Sequence, residues 1–139
     1  MKKFSFFLTV FFLVSWSACA WAQLKEGLWE FSTKVEMKGV HQSMPATVVR
    51  QCVTNTNPVP QTKDKDFDCK ITDQKTSGNT IRYAMECKGS QGVMQTTGTM
   101  TYAGNAMDGS STTTFKMKGQ PPIQMSNIMK GKYLGPCPK

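Results

Sequence analysis

The sequence predicts an all-β domain: an antiparallel up-and-down meander of about seven strands, as a partly closed barrel or a sandwich, with two disulfides. Three observations carry this expectation. Apolar residues alternate with polar ones along most of the chain, and no segment sustains an apolar period of 3.6 residues. Turn-forming Gly and Asn residues separate the alternating runs. Two of the five cysteines, Cys69 and Cys87, lie at equal distances from one such turn.

The chain opens on a leader. Met1-Lys2-Lys3 is basic, "FSFFLTVFFLVSW" (4–16) is apolar and uncharged, and Ala20-Trp21-Ala22 has the small-x-small pattern of a cleavage site. The run is short for a membrane span. A signal peptide over 1–22, cleaved after Ala22, is expected, leaving one β domain over 23–139 with no transmembrane segment, in the periplasm. The rival is a lipoprotein acylated at Cys19, but Trp16 stands where such a motif carries an aliphatic residue.

The strands follow in order. In "GLWEFSTKVEM" Trp29, Phe31, Val35 and Met37 alternate toward one face, with Glu30 and Glu36 on the other. A second strand spans Thr47 to Val53, with its inward face open. Asn55 to Asp68, containing Pro58 and Pro60, reads as a surface loop with at most one helical turn.

"CKITDQKTSGNTIRYAMEC" (69–87) is a hairpin whose inward residues Ile71, Ile81, Tyr83 and Met85 are all odd-numbered. Pairing odd with odd needs an odd loop, so Ser77-Gly78-Asn79 is predicted as the loop, with Asn79 left-handed. That register sets Thr76 opposite Thr80, Ile71 opposite Met85, and Cys69 opposite Cys87. Asp73 would then share that inward parity, opposite Tyr83. It lies near the hairpin end, where a solvated carboxylate is expected rather than a buried acid.

Residues 88–92 lead to a second hairpin. Its inward residues are even before the turn (Met94, Met100, Tyr102) and odd after it (Met107, Phe115, Met117). An even loop at Ala103-Gly104-Asn105-Ala106 sets Tyr102 opposite Met107 and Met94 opposite Phe115. A last strand is expected from Ile123 to Met129, after Pro121-Pro122.

The hairpin register pairs Cys69 with Cys87, which leaves Cys52–Cys137 as the second disulfide. A four-thiolate zinc site is disfavoured because no C-x-x-C knuckle occurs. Most methionines fall on inward parity, where Met is core filler. The weak metal candidate is Met37, His41 and Met44, two thioethers flanking the single histidine in a pattern that suits Cu(I). No cofactor is expected. With one histidine and no Gly-x-Ser-x-Gly, Walker or Rossmann pattern, no enzymatic activity is expected either.

Seventeen Lys and Arg against nine Asp and Glu give a net charge of +8, two of the lysines lying in the leader. Such charge suits anionic lipid or acidic partners, or a plain solvated surface, and no basic cluster exceeds two residues in close sequence. Nucleic acid is not an expected partner.

At "GLWE", "QCVT", "CKITDQKTSGNTIRYAMEC", "YAGNAMDG" and "GKYLGPC" the chain resembles domain-of-unknown-function family 3617, small exported proteins of Gram-negative bacteria. The resemblance spans roughly Leu24 to Cys137 and includes the four cysteine blocks. It implies a periplasmic location and supplies no site residues. Gly27-Leu28-Trp29 is also similar, more weakly, to the first strand of lipocalin-like barrels.

Two functions compete. One is a binding module holding an apolar or lipid-like small molecule among Trp29, Phe31, Tyr83, Met85, Met100, Tyr102 and Phe115. The other is a structural or interaction protein with a solid core that meets another envelope component. An interior cavity of a few hundred Å³ would separate them.

Overall fold

The structure is a computed structural model describing residues 24–37, 44–61 and 65–139. The leader, Cys19 and His41 lie outside the described residues. Seven strands form one antiparallel sheet: β1 (Gly27–Met37), β2 (Thr47–Val53), β3 (Phe67–Ser77), β4 (Thr80–Gly89), β5 (Gly92–Ala103), β6 (Ala106–Met117) and β7 (Ile123–Gly135). Their spatial order is β2-β1-β7-β6-β5-β4-β3, curled into a half-barrel. The all-β expectation holds, as a partly closed barrel rather than a sandwich. No helix among the described residues is long and apolar enough to cross a membrane.

The strand count decides where the barrel stays open. Every neighbouring pair is antiparallel, including β1 with β7. With seven strands, the two edges β2 and β3 must then run in the same direction. A tight hairpin cannot join parallel strands, and the chain needs a dozen or more residues to return. The connection from β2 to β3 makes that return, and its described residues 58–60 lie on the concave side, Val59 in the core and Pro60 beside the hollow. The sequence-based reading of a surface loop holds for the exposed Asn55, Thr56, Asn57 and Gln61. It does not hold for Pro58 and Val59, which are buried, the Tyr102 hydroxyl donating to the Pro58 carbonyl at 2.7 Å. This crossover plugs one end of the bowl.

Turn chemistry sets the registers. Gly78 and Gly104 both have φ near +60°, and the following Asn79 and Asn105 do not, so each hairpin turns on Gly-Asn with glycine first. The β5–β6 register is as expected, with Tyr102 opposite Met107 and Met94 opposite Phe115.

The β3–β4 hairpin keeps Cys69 opposite Cys87 and Ile71 opposite Met85, but its loop is shorter than expected. Ser77 pairs with Thr80 and Thr76 with Ile81, and an irregularity between Ile71 and Asp73 absorbs the extra residue, Thr72. A bulge thus performs the parity change assigned above to a three-residue loop. Beyond it the faces are exchanged: Gln74 lies opposite Tyr83, while Asp73 lies opposite Ala84 and is exposed. Asp73 is therefore not an inward acid.

Both disulfides have the expected partners, Cys69–Cys87 and Cys52–Cys137. The second ties edge strand β2 to the tail beyond β7. The last strand runs past Met129 to Gly135, because Gly131 and Tyr133 continue its inward alternation beside β1. Glu30 and Glu36 stand on the outer face, Glu30 accepting from Arg50 Nε at 2.8 Å and Glu36 lying 3.8 Å from Lys34.

Candidate functional site

The inner face divides into a solid half and a hollow half. In the solid half Trp29, Phe31, Val53, Val59, Ile81, Met100, Tyr102 and Met107 are buried together. Trp29 is fully enclosed. Its ring meets Tyr102 and Tyr133 edge-on at 5.1 and 5.5 Å, and its Nε1 donates to the Lys25 carbonyl at 2.9 Å. Burial pushes the Tyr102 hydroxyl well above its ordinary value, with a smaller contribution from Tyr83.

The hollow half holds a cavity of about 340 Å³. All seven strands and the crossover line it. Thr33, Thr47 and Val49 come from β1 and β2, Pro60 from the crossover, and Phe67 and Cys69 from β3. The other wall is Tyr83, Met85 and Cys87 of β4, Met94 and Thr96 of β5, Ser111 and Thr113 of β6, and Asn127 and Met129 of β7. Both edge strands contribute, so the cavity lies along the gap in the barrel. Val49, on edge strand β2, is 37% exposed although it lines the cavity. Phe67 packs edge-on against Phe115 at 6.2 Å beside the cavity.

Glycines let large side chains lie flat against the tightly curled sheet. Tyr83 pairs directly with Gly98, Phe31 with Gly131 and Phe67 with Gly89. A Cβ on Gly98 would lie 2.8 Å from the Tyr83 ring and from Ser111 Cβ. The missing Cβ lets the Tyr83 ring lie across β5 toward Ser111 on β6. Burial raises the Tyr83 hydroxyl above its ordinary value, with the nearby Ser111 hydroxyl opposing it.

From Ser111 a polar line continues along the cavity. Asn127 Nδ2 donates to Ser111 Oγ at 3.1 Å and to Thr113 Oγ1 at 3.2 Å, and Thr113 shares a 2.8 Å hydrogen bond with Thr96. The cavity thus has an apolar wall of methionines, Val49, Pro60 and Phe67, and a hydroxyl-amide wall crossing β4 to β7. None of the described residues lining it is charged.

The expected ligand set separates accordingly. Tyr83 and Met85 line the cavity. Phe115 stands at its margin through Phe67. Trp29, Phe31, Met100 and Tyr102 belong to the solid half. Sequence reasoning missed Thr96, Ser111, Thr113 and Asn127. A signal was present, since all four sit at inward parity where a packed core would place apolar residues. Among the described residues no group of three or more His, Cys, Asp and Glu is placed to hold a metal. Met37 and Met44 are half-buried, and their proposed partner His41 lies outside the described residues.

A second hollow, of about 490 Å³, lies on the outer face among Arg82, Thr97, Thr99, Ser110, Thr112, Ser126 and Glu36. It is open, shallow and hydroxyl-rich, and Tyr83, Ser111 and Asn127 of the inner polar line border it as well.

No curated relative and no solved structure matches the chain, and the lipocalin likeness of Gly27-Leu28-Trp29 gains no support. A family profile described as "Protein of unknown function (DUF3617)" matches residues 24–137, the whole sheet with both disulfides, and the chain belongs to that family.

Proposed function

We propose that this protein is an exported, non-enzymatic binding protein that holds an apolar or lipid-like small molecule inside the half-barrel. The observation that carries this reading is the cavity of about 340 Å³ between the apolar and hydroxyl-amide walls. Its volume lies within the roughly 300–1,000 Å³ typical of small-molecule sites, and mostly apolar walls with a few convergent polar groups are their usual construction. The alternative, an envelope protein that works through its surface alone, has no use for a hollow that costs packing contacts. Two disulfides in a small domain support a periplasmic location, where thiols oxidise.

The neutral fluorophore N-phenyl-1-naphthylamine tests the reading. It is expected to bind saturably at one site per chain, and Met94→Trp, which fills the cavity, is expected to abolish binding while the thermal unfolding transition persists. Native mass spectrometry of protein purified gently from the cell envelope should show a retained apolar mass. Absence of both signals would leave the surface-interaction reading in its place.

A further inference from the structure

We infer that the cavity selects an uncharged ligand bearing a hydroxyl or similar neutral donor-acceptor group, and that Asn127 is the residue that reads that group. This inference rests on the binding reading above.

The first argument is electrostatic. Among the described residues, no Lys, Arg, His, Asp or Glu lines the cavity. A carboxylate or ammonium moved inside would lose its hydration with no opposite charge to replace it, a cost far larger than that of burying a neutral polar group. Fatty-acid headgroups and cationic amphiphiles are therefore disfavoured inside, in spite of the basic character of the chain as a whole.

The second argument concerns hydrogen bonding. Both hydrogens of the Asn127 amide are committed, one to Ser111 and one to Thr113. Every buried side-chain polar atom among the described residues has a partner. Asn127 Oδ1 makes no hydrogen bond to another described residue, and Asn127 lines the cavity. The Thr96–Thr113 pair uses one hydroxyl hydrogen for its single shared bond and leaves the other hydroxyl's hydrogen to rotate. One acceptor and one adjustable donor thus stand side by side. A hydroxyl, which both donates and accepts, matches this pair. An alkane leaves it unanswered, and a carboxylate can only accept.

The third argument is positional. Asn127 is half-buried on β7, held from β6 by two hydrogen bonds, and Thr113 is buried between it and Thr96. Its amide is oriented before any ligand arrives, as specificity requires.

A chain-length-matched series tests the inference: 1-decanol, decanoate and decylammonium, each competing with N-phenyl-1-naphthylamine at pH 7.5. Wild-type protein is expected to bind 1-decanol at least tenfold more tightly than either ion. Asn127→Asp is isosteric and places a carboxylate where the amide stood. It keeps an acceptor where Oδ1 stood and adds a negative charge, so it is expected to strengthen decylammonium at least tenfold relative to 1-decanol, with folding checked by the unfolding transition. If Asn127→Asp does not fold, Asn127→Leu should narrow the preference of 1-decanol over decanoate. Decanoate binding as tightly as 1-decanol would overturn the selectivity and leave the binding reading standing. Failure of the fluorophore and all three probes to bind would overturn both.

Discussion

Single atoms decide the shape of the cavity wall. Gly98 has no Cβ, and so the Tyr83 ring crosses β5 to Ser111. Gly98→Ala would place a methyl 2.8 Å from that ring and displace it. The expected outcome is a loss of about 1–3 kcal/mol in denaturant unfolding, with weaker probe binding as the ring shifts. Tyr102 makes a different contribution by satisfying the Pro58 carbonyl inside the core. Tyr102→Phe should cost about 1–3 kcal/mol through the unpaired carbonyl and leave probe binding intact, because the ring lies in the solid half.

The two tyrosines also predict a pH response. Burial is the main cause that raises both hydroxyls above the ordinary tyrosine value, so the folded state resists their ionisation. A raised folded value means that the unfolded chain loses these protons first. The stabilisation is therefore fully present below pH 10 and is lost as pH climbs through the folded values. Absorbance at 295 nm should show Tyr83 and Tyr102 ionising only together with alkaline unfolding.

At the scale of elements, the two disulfides close loops of different length. Cys69 and Cys87 are 18 residues apart and Cys52 and Cys137 are 85 apart. In the chain-entropy account the shorter loop contributes about 3 kcal/mol and the longer about 4.5 kcal/mol. The Cys52→Ala/Cys137→Ala double variant should lose more melting temperature than Cys69→Ala/Cys87→Ala. The β3–β4 hairpin offers a sharper test. Thr72 is the extra residue of its irregularity, so deleting it would turn the ladder regular without moving Cys69 from Cys87 or Ser77 from Thr80. The deletion should fold with both disulfides intact, as non-reducing peptide mapping would show. Loss of the Cys69–Cys87 peptide would mean that the bulge itself is required to align the cysteines.

At the scale of the molecule, an odd number of strands explains both the opening and its plug. The edges β2 and β3 run in the same direction, so the chain between them must travel back along the bowl, and it places Val59 against the solid core. Val59 is 4% exposed. Val59→Ala should cost about 2 kcal/mol by lost burial and the void it leaves, measured by denaturant unfolding. Neutral behaviour of this variant would mean that the crossover is not part of the core. The same geometry leaves the other half of the bowl unfilled, and there the cavity lies.

Much of this architecture was legible in the chain. Alternation along "GLWEFSTKVEM" and the parity change around Gly104-Asn105 specify strands and register, because side chains in a strand repeat every two residues whatever surrounds them. Cysteine spacing about Gly78-Asn79 specifies one disulfide for the same local reason. Parity also pointed Trp29 and Met100 inward beside Tyr83 and Met85, but it could not divide the inner face. Whether an inward side chain meets another or meets space depends on how far the sheet curls and what crosses it. The pairing of β1 with β7, the parallel edges and the buried crossover decide that, and each joins residues far apart in sequence. Asp73 shows the limit from the other side: one bulge at Thr72 exchanged the faces of half a strand. Local periodicity determined which residues share a face. Only the closure of the sheet decided which part of that face is core and which part is a site, because hollow space belongs to the arrangement and to no residue.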